Sequence, residues 1–450
     1  MKYFFIGIAG AGMSALAQFL AQKGNQVQGS DRLFSLDPKN NIRQKLEKIN
    51  ITTFEQGKSQ LSDDIDLVVV STAIEQTVYE YQKAQQLGLK IIHRSDLLQK
   101  ISAQYNTIAV AGTSGKSTTT AMIYTILENC GFEPSMINGS GLKTLQKQIL
   151  IGNCKVGKSQ WLVIEADESD GTIVKYKPHT AVILNIEKDH KEFDQLLDIF
   201  GTFAQNSQNL IVNLSNPKSA LFSNQNKFDF GTQKTDFFPT NISADYQGIS
   251  FYLNNVRFDV PIIGVHNVEN SVAAIAVAQS IGIELKQISN ALKNYEGIDR
   301  RMQIVGKIAQ TTLIDDYAHN PAKIQAAIES CQMISNRVVA FFQPHGFAPL
   351  SFFKDELIDV LCKTLRKRDE IHFSEVFFAG GTANKTISSV DIVEILKNKG
   401  LEAFFYDDRN KFVDNLKITN EPTIILLMGA RDPSLGDFAQ NVFISLKNKF

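Results

Sequence analysis

The apolar residues of this chain fall mainly into short unbroken runs, at 2–8, 67–71, 108–111, 160–164, 180–185, 312–315, 338–342, 370–373, 403–406 and 423–428. Most of these runs give way to a glycine-rich or polar turn and then to a stretch with helical spacing. Unbroken apolar runs mark strands buried on both faces, and strands that alternate with helices imply parallel sheets. Further strands are predicted at 25–29 and 90–93, and helices from the first glycine turn to about residue 24, at 37–49, 78–88, 96–103 and 118–130, and from 322 onward. The pattern loosens at 210–261, where short alternating runs such as 249–256 read as a small β-appendage, and an Ala-rich helix then runs to about 282. The fold class is therefore α/β in three domains. A Rossmann-like N-terminal domain covers 1–104, a central P-loop domain with the appendage covers 105–298, and a C-terminal Rossmann-like α/β domain covers 299–450.

The chemistry collects at the turns. After 108–111 the chain reads Gly112, Thr113, Ser114, Gly115, Lys116, Ser117, Thr118, and then the helix. Strand, glycine loop and helix in this order turn backbone N–H groups and a helix N-terminus toward a phosphate. In such a loop Lys116 reaches the outer phosphates and the Ser117 hydroxyl ligates Mg²⁺. The first glycine is displaced, because Val110 occupies its usual position and Gly112 stands two residues later. The first apolar run ends in a second such turn, with Gly7, Gly10, Ala11, Gly12, Met13 and Ser14, followed about 20 residues on by Asp31. That spacing suits a diphosphate at the glycines and a ribose or base donor at Asp31. The fingerprint is irregular, because Ala9 replaces the usual middle glycine. Ser71 ends another run at the sheet edge where ligands sit.

Glu165, Asp167, Glu168 and Asp170 lie directly after the 160–164 run. They are either a solvated acidic loop or a strand end that supplies a carboxylate for Mg²⁺. His190 follows the 180–185 run, placed for a metal or phosphate contact or for a structural role. Asn267 and Asn270 are three apart near a helix start, where capping would account for one of them.

Bulk composition narrows the class further. The chain has 450 residues, 43% hydrophobic and 21% charged, with a net charge of −1. Nothing in this balance points to nucleic acid. Four scattered cysteines lack metal or disulfide spacing and suit a reducing cytoplasm. Residues 3–21 carry no charge, but three glycines and the regular continuation read as strand, turn and helix rather than a signal peptide. No other stretch is long and apolar enough to span a membrane.

Taken in order, these pieces resemble the Mur ligase family over essentially the whole chain. G-I-A-G-A-G-M-S is similar to the loop that holds the UDP-sugar in the branch adding L-alanine to UDP-N-acetylmuramate. G-T-S-G-K-S-T-T-T resembles the family's ATP loop, displaced glycine included. E-A-D-E-S-D, N-I-E-K-D-H, H-N-V-E-N, D-R-R and D-D-Y-A-H-N-P follow in family order. The resemblance implies an ATP- and Mg²⁺-dependent, ADP-forming ligase of cytoplasmic peptidoglycan precursor synthesis, acting as a monomer or homodimer on small molecules. Lys116, Glu165 and His190 would be catalytic, and Ser117, Glu165 and His190 would bind or orient Mg²⁺. Gly112 to Thr118, Asn267, Asn270, Arg301, Asp316 and His319 would contact ATP. Gly10, Ala11, Gly12, Met13, Ser14, Asp31 and Ser71 would hold the UDP-sugar.

Two departures stand out. Residues 192–208 contain no lysine, so the carbamylated lysine of other branches is not expected. The alanine-adding branch usually carries arginines after Q-P-H, whereas here Gln343, Pro344 and His345 lead into Gly346, Phe347, Ala348 and Pro349. His345 and Arg431, at a neighbouring strand end, are the candidates for holding the amino acid. The altered loop keeps open a murein peptide ligase that attaches L-Ala-D-Glu-meso-diaminopimelate. A dinucleotide-dependent oxidoreductase and an ATP-driven switch are the alternatives from other classes.

Overall fold

The computed structural model describes residues 1–148, 150–187, 192–232, 235–378, 387–416 and 421–449. Among them the chain forms four sheets in two compact units, one of residues 1–241, 251–260 and 269–299, the other of 242–250, 261–268 and 300–450.

The first sheet holds β1 (Lys2–Ile6), β2 (Gln26–Asp31), β3 (Thr52–Glu55), β4 (Leu67–Val70) and β5 (Ile91–His93), ordered β3-β2-β1-β4-β5 and parallel throughout. Strand order reverses beside β1, so the glycine turn after β1 lies at a topological switch point. β1 stops at Ile6, two residues before the expected end, because the Gly7 and Ile8 N–H groups both turn to Ser30 O. The helix expected at 37–49 is the shorter Asn41–Glu47, and a separate short helix, Arg32–Leu36, precedes it. Pro38 interrupts them, and Asn40 caps the second through the Ile42 and Arg43 N–H groups.

The second sheet holds β6 (Asn106–Ala111), β7 (Ser135–Ile137), β8 (Cys154–Lys155), β9 (Trp161–Glu165), β10 (Thr180–Ile183) and β11 (Asn209–Val212), ordered β11-β10-β6-β9-β7-β8. Its strands are parallel except for the short edge strand β8. The helix after β6 runs from Lys116 to Asn129, starting two residues earlier than expected. β11 corrects the expected extent of the appendage, since it pairs with β10 in the main sheet. The small sheet is confined to β12 (Thr240–Asp245), β13 (Gly248–Leu253) and β14 (Val256–Val260).

One apolar core runs through the first and second sheets. Met13, Phe19 and Leu97 belong to the same buried cluster as Ile137, Cys154, Ile164 and Phe200. The helix Ala11–Gln22 packs on β7 and β8, and the buried Asn153 side chain donates to Ala11 O at 2.8 Å and Ser14 Oγ at 3.0 Å and accepts from Gln18 Nε2 at 2.8 Å.

The fourth sheet holds β15 (Gln303–Ile308), β16 (Thr311–Asp316), β17 (Arg337–Gln343), β18 (Glu370–Ser374), β19 (Ala403–Tyr406) and β20 (Thr423–Gly429), ordered β15-β16-β20-β17-β18-β19. Only β15 runs antiparallel. Separate cores cover its two faces.

Candidate active site

In the first unit the loop after β6 is built as a phosphate cradle. Gly115 has a φ of 84°, which glycine adopts without strain, and a methyl group there would collide with the Asn270 side chain. Asn185, just past β10, shapes the other side of the loop. Its Oδ1 accepts the Thr113 hydroxyl at 2.9 Å and the Ser114 N–H at 2.8 Å. The Asn270 Oδ1 also accepts from the Thr119 hydroxyl at 3.3 Å.

Two carboxylates then divide the loop's functional side chains. Ser117 Oγ donates to Glu165 Oε2 at 2.7 Å, and the Gly139 N–H donates to the same oxygen at 2.8 Å. Lys116 Nζ donates to Glu168 Oε2 and to Gly112 O, each at 2.8 Å, with Asp167 Oδ1 at 3.9 Å. Burial opposes the Lys116 charge, but Glu168, Asp167 and Glu165 together outweigh it and hold the ammonium pKa above its usual value. Burial pushes the Glu168 carboxyl up despite Lys116. Ser117 Oγ beside Glu165 Oε2 is a hard-oxygen pair of the kind Mg²⁺ takes, so these residues fit that ion. His190, the third expected metal residue, lies outside the described residues.

The glycine turn after β1 only partly follows expectation. Gly10, Ala11 and Gly12 lead into the helix Ala11–Gln22, with the Gly10 N–H bonded to Gly7 O at 3.2 Å. Met13 and Ser14 do not present side chains there: Met13 sits in the core, and Ser14 is buried and bonds Ala11 O at 3.0 Å. Helical periodicity turns these two side chains inward, so it is their backbone that borders the turn. Asp31 is buried, its oxygens accepting the Ala9 and Leu33 N–H groups at 2.9 Å each. Burial raises its pKa in spite of those donors. Ser71 stands half-buried at the end of β4.

In the second unit, Asp316 at the end of β16 accepts the Met302 N–H at 2.7 Å and the Ala318 N–H at 2.8 Å. The Arg301 guanidinium lies 4.8 Å from the Tyr317 ring centre. The His319 ring meets Tyr317 at 5.6 Å and His345 at 5.5 Å, both edge-on. Asn267 Nδ2 donates to Ile263 O at 2.8 Å. Arg431 is exposed after β20 with a φ of 63°. Among the described residues, Arg409 is joined to the Q-P-H segment, its Nη1 meeting Gln343 Oε1 at 3.1 Å and Asp432 Oδ2 at 2.7 Å.

The family description "Mur ligase family, catalytic domain" matches residues 2–106, "Mur ligase middle domain" matches 110–278 and "Mur ligase, glutamate ligase domain" matches 300–431. A UDP-N-acetylmuramate--L-alanine ligase of Syntrophomonas wolfei is 32% identical, with 95% of this chain and 94% of that protein covered. One of Dictyoglomus turgidum is 33% identical over the same shares. The chain belongs to the Mur ligase family. Among solved structures, a UDP-N-acetylmuramate-alanine ligase of Thermotoga maritima superposes with a TM-score of 0.82 at 25% identity, covering 100% of this chain and 99% of that one. A murein peptide ligase of Psychrobacter arcticus shares the fold, with a TM-score of 0.68, 21% identity and coverage of 100% and 99%. None of these relatives supports the oxidoreductase alternative.

The sequence pattern marked Glu168 only as one of four clustered carboxylates, and it did not single out Asn185, Tyr317 or Arg409. Asn185 and Tyr317 stand inside motifs that were noticed, and both follow strand ends at the carboxyl edge, which is the signal that marks them. Arg409 has no such signal, because it lies 66 residues from Gln343.

Proposed function

We propose that this Mur ligase joins L-alanine to the carboxylate of UDP-N-acetylmuramate in the cytoplasm, with ATP and Mg²⁺. The observation that carries the chemistry is the paired arrangement at the loop, Ser117 with Glu165 and Lys116 with Glu168. The amine is taken from the relatives named above, which resemble the chain along nearly its full length.

In this reading ATP phosphorylates the sugar carboxylate to an acyl phosphate. The amino group attacks that carbonyl, and phosphate leaves from the tetrahedral intermediate. Lys116 exchanges Glu168 for the β- and γ-phosphates and neutralises the charge that develops on transfer. Gly112, Thr113, Ser114, Gly115 and Thr118 supply backbone to the phosphates, and Asn270 fixes the loop's shape. Ser117, Glu165 and His190 would hold Mg²⁺, which would supply positive charge to offset the charge that develops on phosphoryl transfer. Asn267, Arg301, Asp316 and His319 serve the nucleotide, and His345 and Arg431 the amino acid. The glycine turn with Asp31 and Ser71 takes the UDP moiety. Residues 1–104, 105–298 and 299–450 carry the three tasks in turn.

A murein peptide ligase is the second reading, favoured by the helix Phe347–Thr364, which starts directly after Gly346 and leaves no arginine in the Q-P-H loop. Phosphate release with ATP, Mg²⁺ and UDP-N-acetylmuramate, scanned over L-alanine, glycine, L-serine and the L-Ala-D-Glu-meso-diaminopimelate tripeptide, separates the two. L-Alanine alone is expected to drive release, and release with the tripeptide only would overturn the leading reading. Lys116→Ala is expected to lower kcat by about 10²-fold or more in the same assay.

A further inference from the structure

Glu165 and Glu168 are committed to the ATP loop, and the other two carboxylates of the stretch reach toward the first sheet. Asp170 Oδ2 accepts from Arg94 Nη2 at 3.2 Å, and Asp167 Oδ2 lies 4.0 Å from the same nitrogen. Asp167 Oδ1 lies 3.9 Å from Lys116 Nζ, so Asp167 stands between two cations. Asp170 is itself fixed, because its Oδ1 accepts the Thr172 N–H at 3.0 Å and the Thr172 hydroxyl at 2.5 Å. Arg94 opens the helix Arg94–Ser102 directly after β5, at the carboxyl edge of the first sheet. Its other terminal nitrogen, Nη1, faces the glycine turn, where a methyl group on Gly12 would come within 3.1 Å of it. A charge-assisted bond at one side of a planar guanidinium leaves the opposite edge in a set direction.

We propose that Asp170 and Asp167 are positioning residues that hold Arg94 with its Nη1 edge toward the glycine turn, and that Asp167, shared with Lys116, couples the diphosphate site at that turn to the ATP loop. The inference rests on the ligase reading, which brings a UDP-sugar to the turn. When Lys116 moves to the phosphates of ATP, Asp167 keeps Arg94 as its one close cation among the described residues and holds it more firmly. Filling either site then changes affinity at the other by the same factor.

The test is calorimetric titration of the full chain with UDP-N-acetylmuramate, with and without Mg²⁺ and a non-hydrolysable ATP analogue. Asp170→Asn is expected to weaken UDP-sugar binding about tenfold while the analogue's own Kd stays within about twofold. Asp167→Asn is expected to bring the coupling factor between the ligands to within about twofold of unity. Arg94→Lys keeps the charge but loses the fork. It is expected to reproduce the Asp170→Asn loss, and it replaces that variant should the latter not fold. An Asp170→Asn protein that binds the UDP-sugar normally, or loses both ligands equally, overturns the positioning role. An Asp167→Asn protein that keeps the full coupling overturns the shared carboxylate. An unaltered chain that binds the analogue and shows no heat with UDP-N-acetylmuramate overturns the ligase reading itself.

Discussion

Two aspartates at strand ends do the same mechanical work in different sheets. Asp31 ties Ala9 and Leu33 to the end of β2, and Asp316 ties Met302 and Ala318 to the end of β16. Removing either carboxylate leaves two backbone donors without their partner, so Asp31→Ala and Asp316→Ala are each expected to cost roughly 2–3 kcal/mol in urea unfolding. Gly115→Ala combines a φ of 84° with a clash against Asn270. It is expected to cost about 1–3 kcal/mol and to weaken ATP binding at least tenfold by calorimetry. At this scale the sequence made residue types legible but not their partners. Lys116 and the four carboxylates were conspicuous, yet which acid meets Lys116 depends on how the chain turns after β9. Asp31 was marked by its spacing from the glycine turn, but its bonds to the Ala9 and Leu33 N–H groups depend on how that turn folds back on the end of β2.

Among the elements, β17, β18 and β19 carry a polar chain from strand to strand. Arg337 opens β17 and pairs with Glu370, which opens β18. His372 lies between Glu370 at 3.2 Å and the Tyr406 hydroxyl at 3.2 Å, stacked on Phe404. The His372 hydrogen bond and the Arg337 contact outweigh burial and bring the Glu370 pKa from 4.5 to about 2. A carboxyl depressed by folding stabilises fully above its unfolded pKa and loses that contribution as pH falls through the folded one. The stabilisation, at most roughly 3 kcal/mol, is therefore expected to disappear between about pH 4.5 and pH 2. Thermal melts across that window should show Tm falling with acid, and Glu370→Gln should flatten the slope. The strands of the sheet interiors were legible because they are unbroken apolar runs. Strands β3, β7, β8 and β15 were not, since they are short or polar and depend on the neighbours they pair with. The helix Phe193–Gln205 was also missed, although Leu196, Phe200 and Phe203 recur at helical spacing and are buried.

At the scale of the molecule, the division of the chain into three domains by sequence pattern meets a packing that joins the first two sheets through one core. The helix Ala11–Gln22 belongs to the first sheet by sequence and lies on β7 and β8 of the second. Asn153→Ala leaves Gln18 Nε2 with Ser14 O alone and removes the donors to Ala11 and Ser14, so it is expected to cost about 2–4 kcal/mol. In differential scanning calorimetry it should lower the transition shared by both sheets and leave that of residues 300–450 in place. The shared core also limits how the protein can be taken apart or recombined. A chimera that exchanges only residues 1–104 for those of a relative would set foreign helix residues against the resident β7 and β8. Exchanging 135–156 along with them keeps both sides of the seam from one parent, so soluble chimeras are expected from the double exchange and aggregates from the single one.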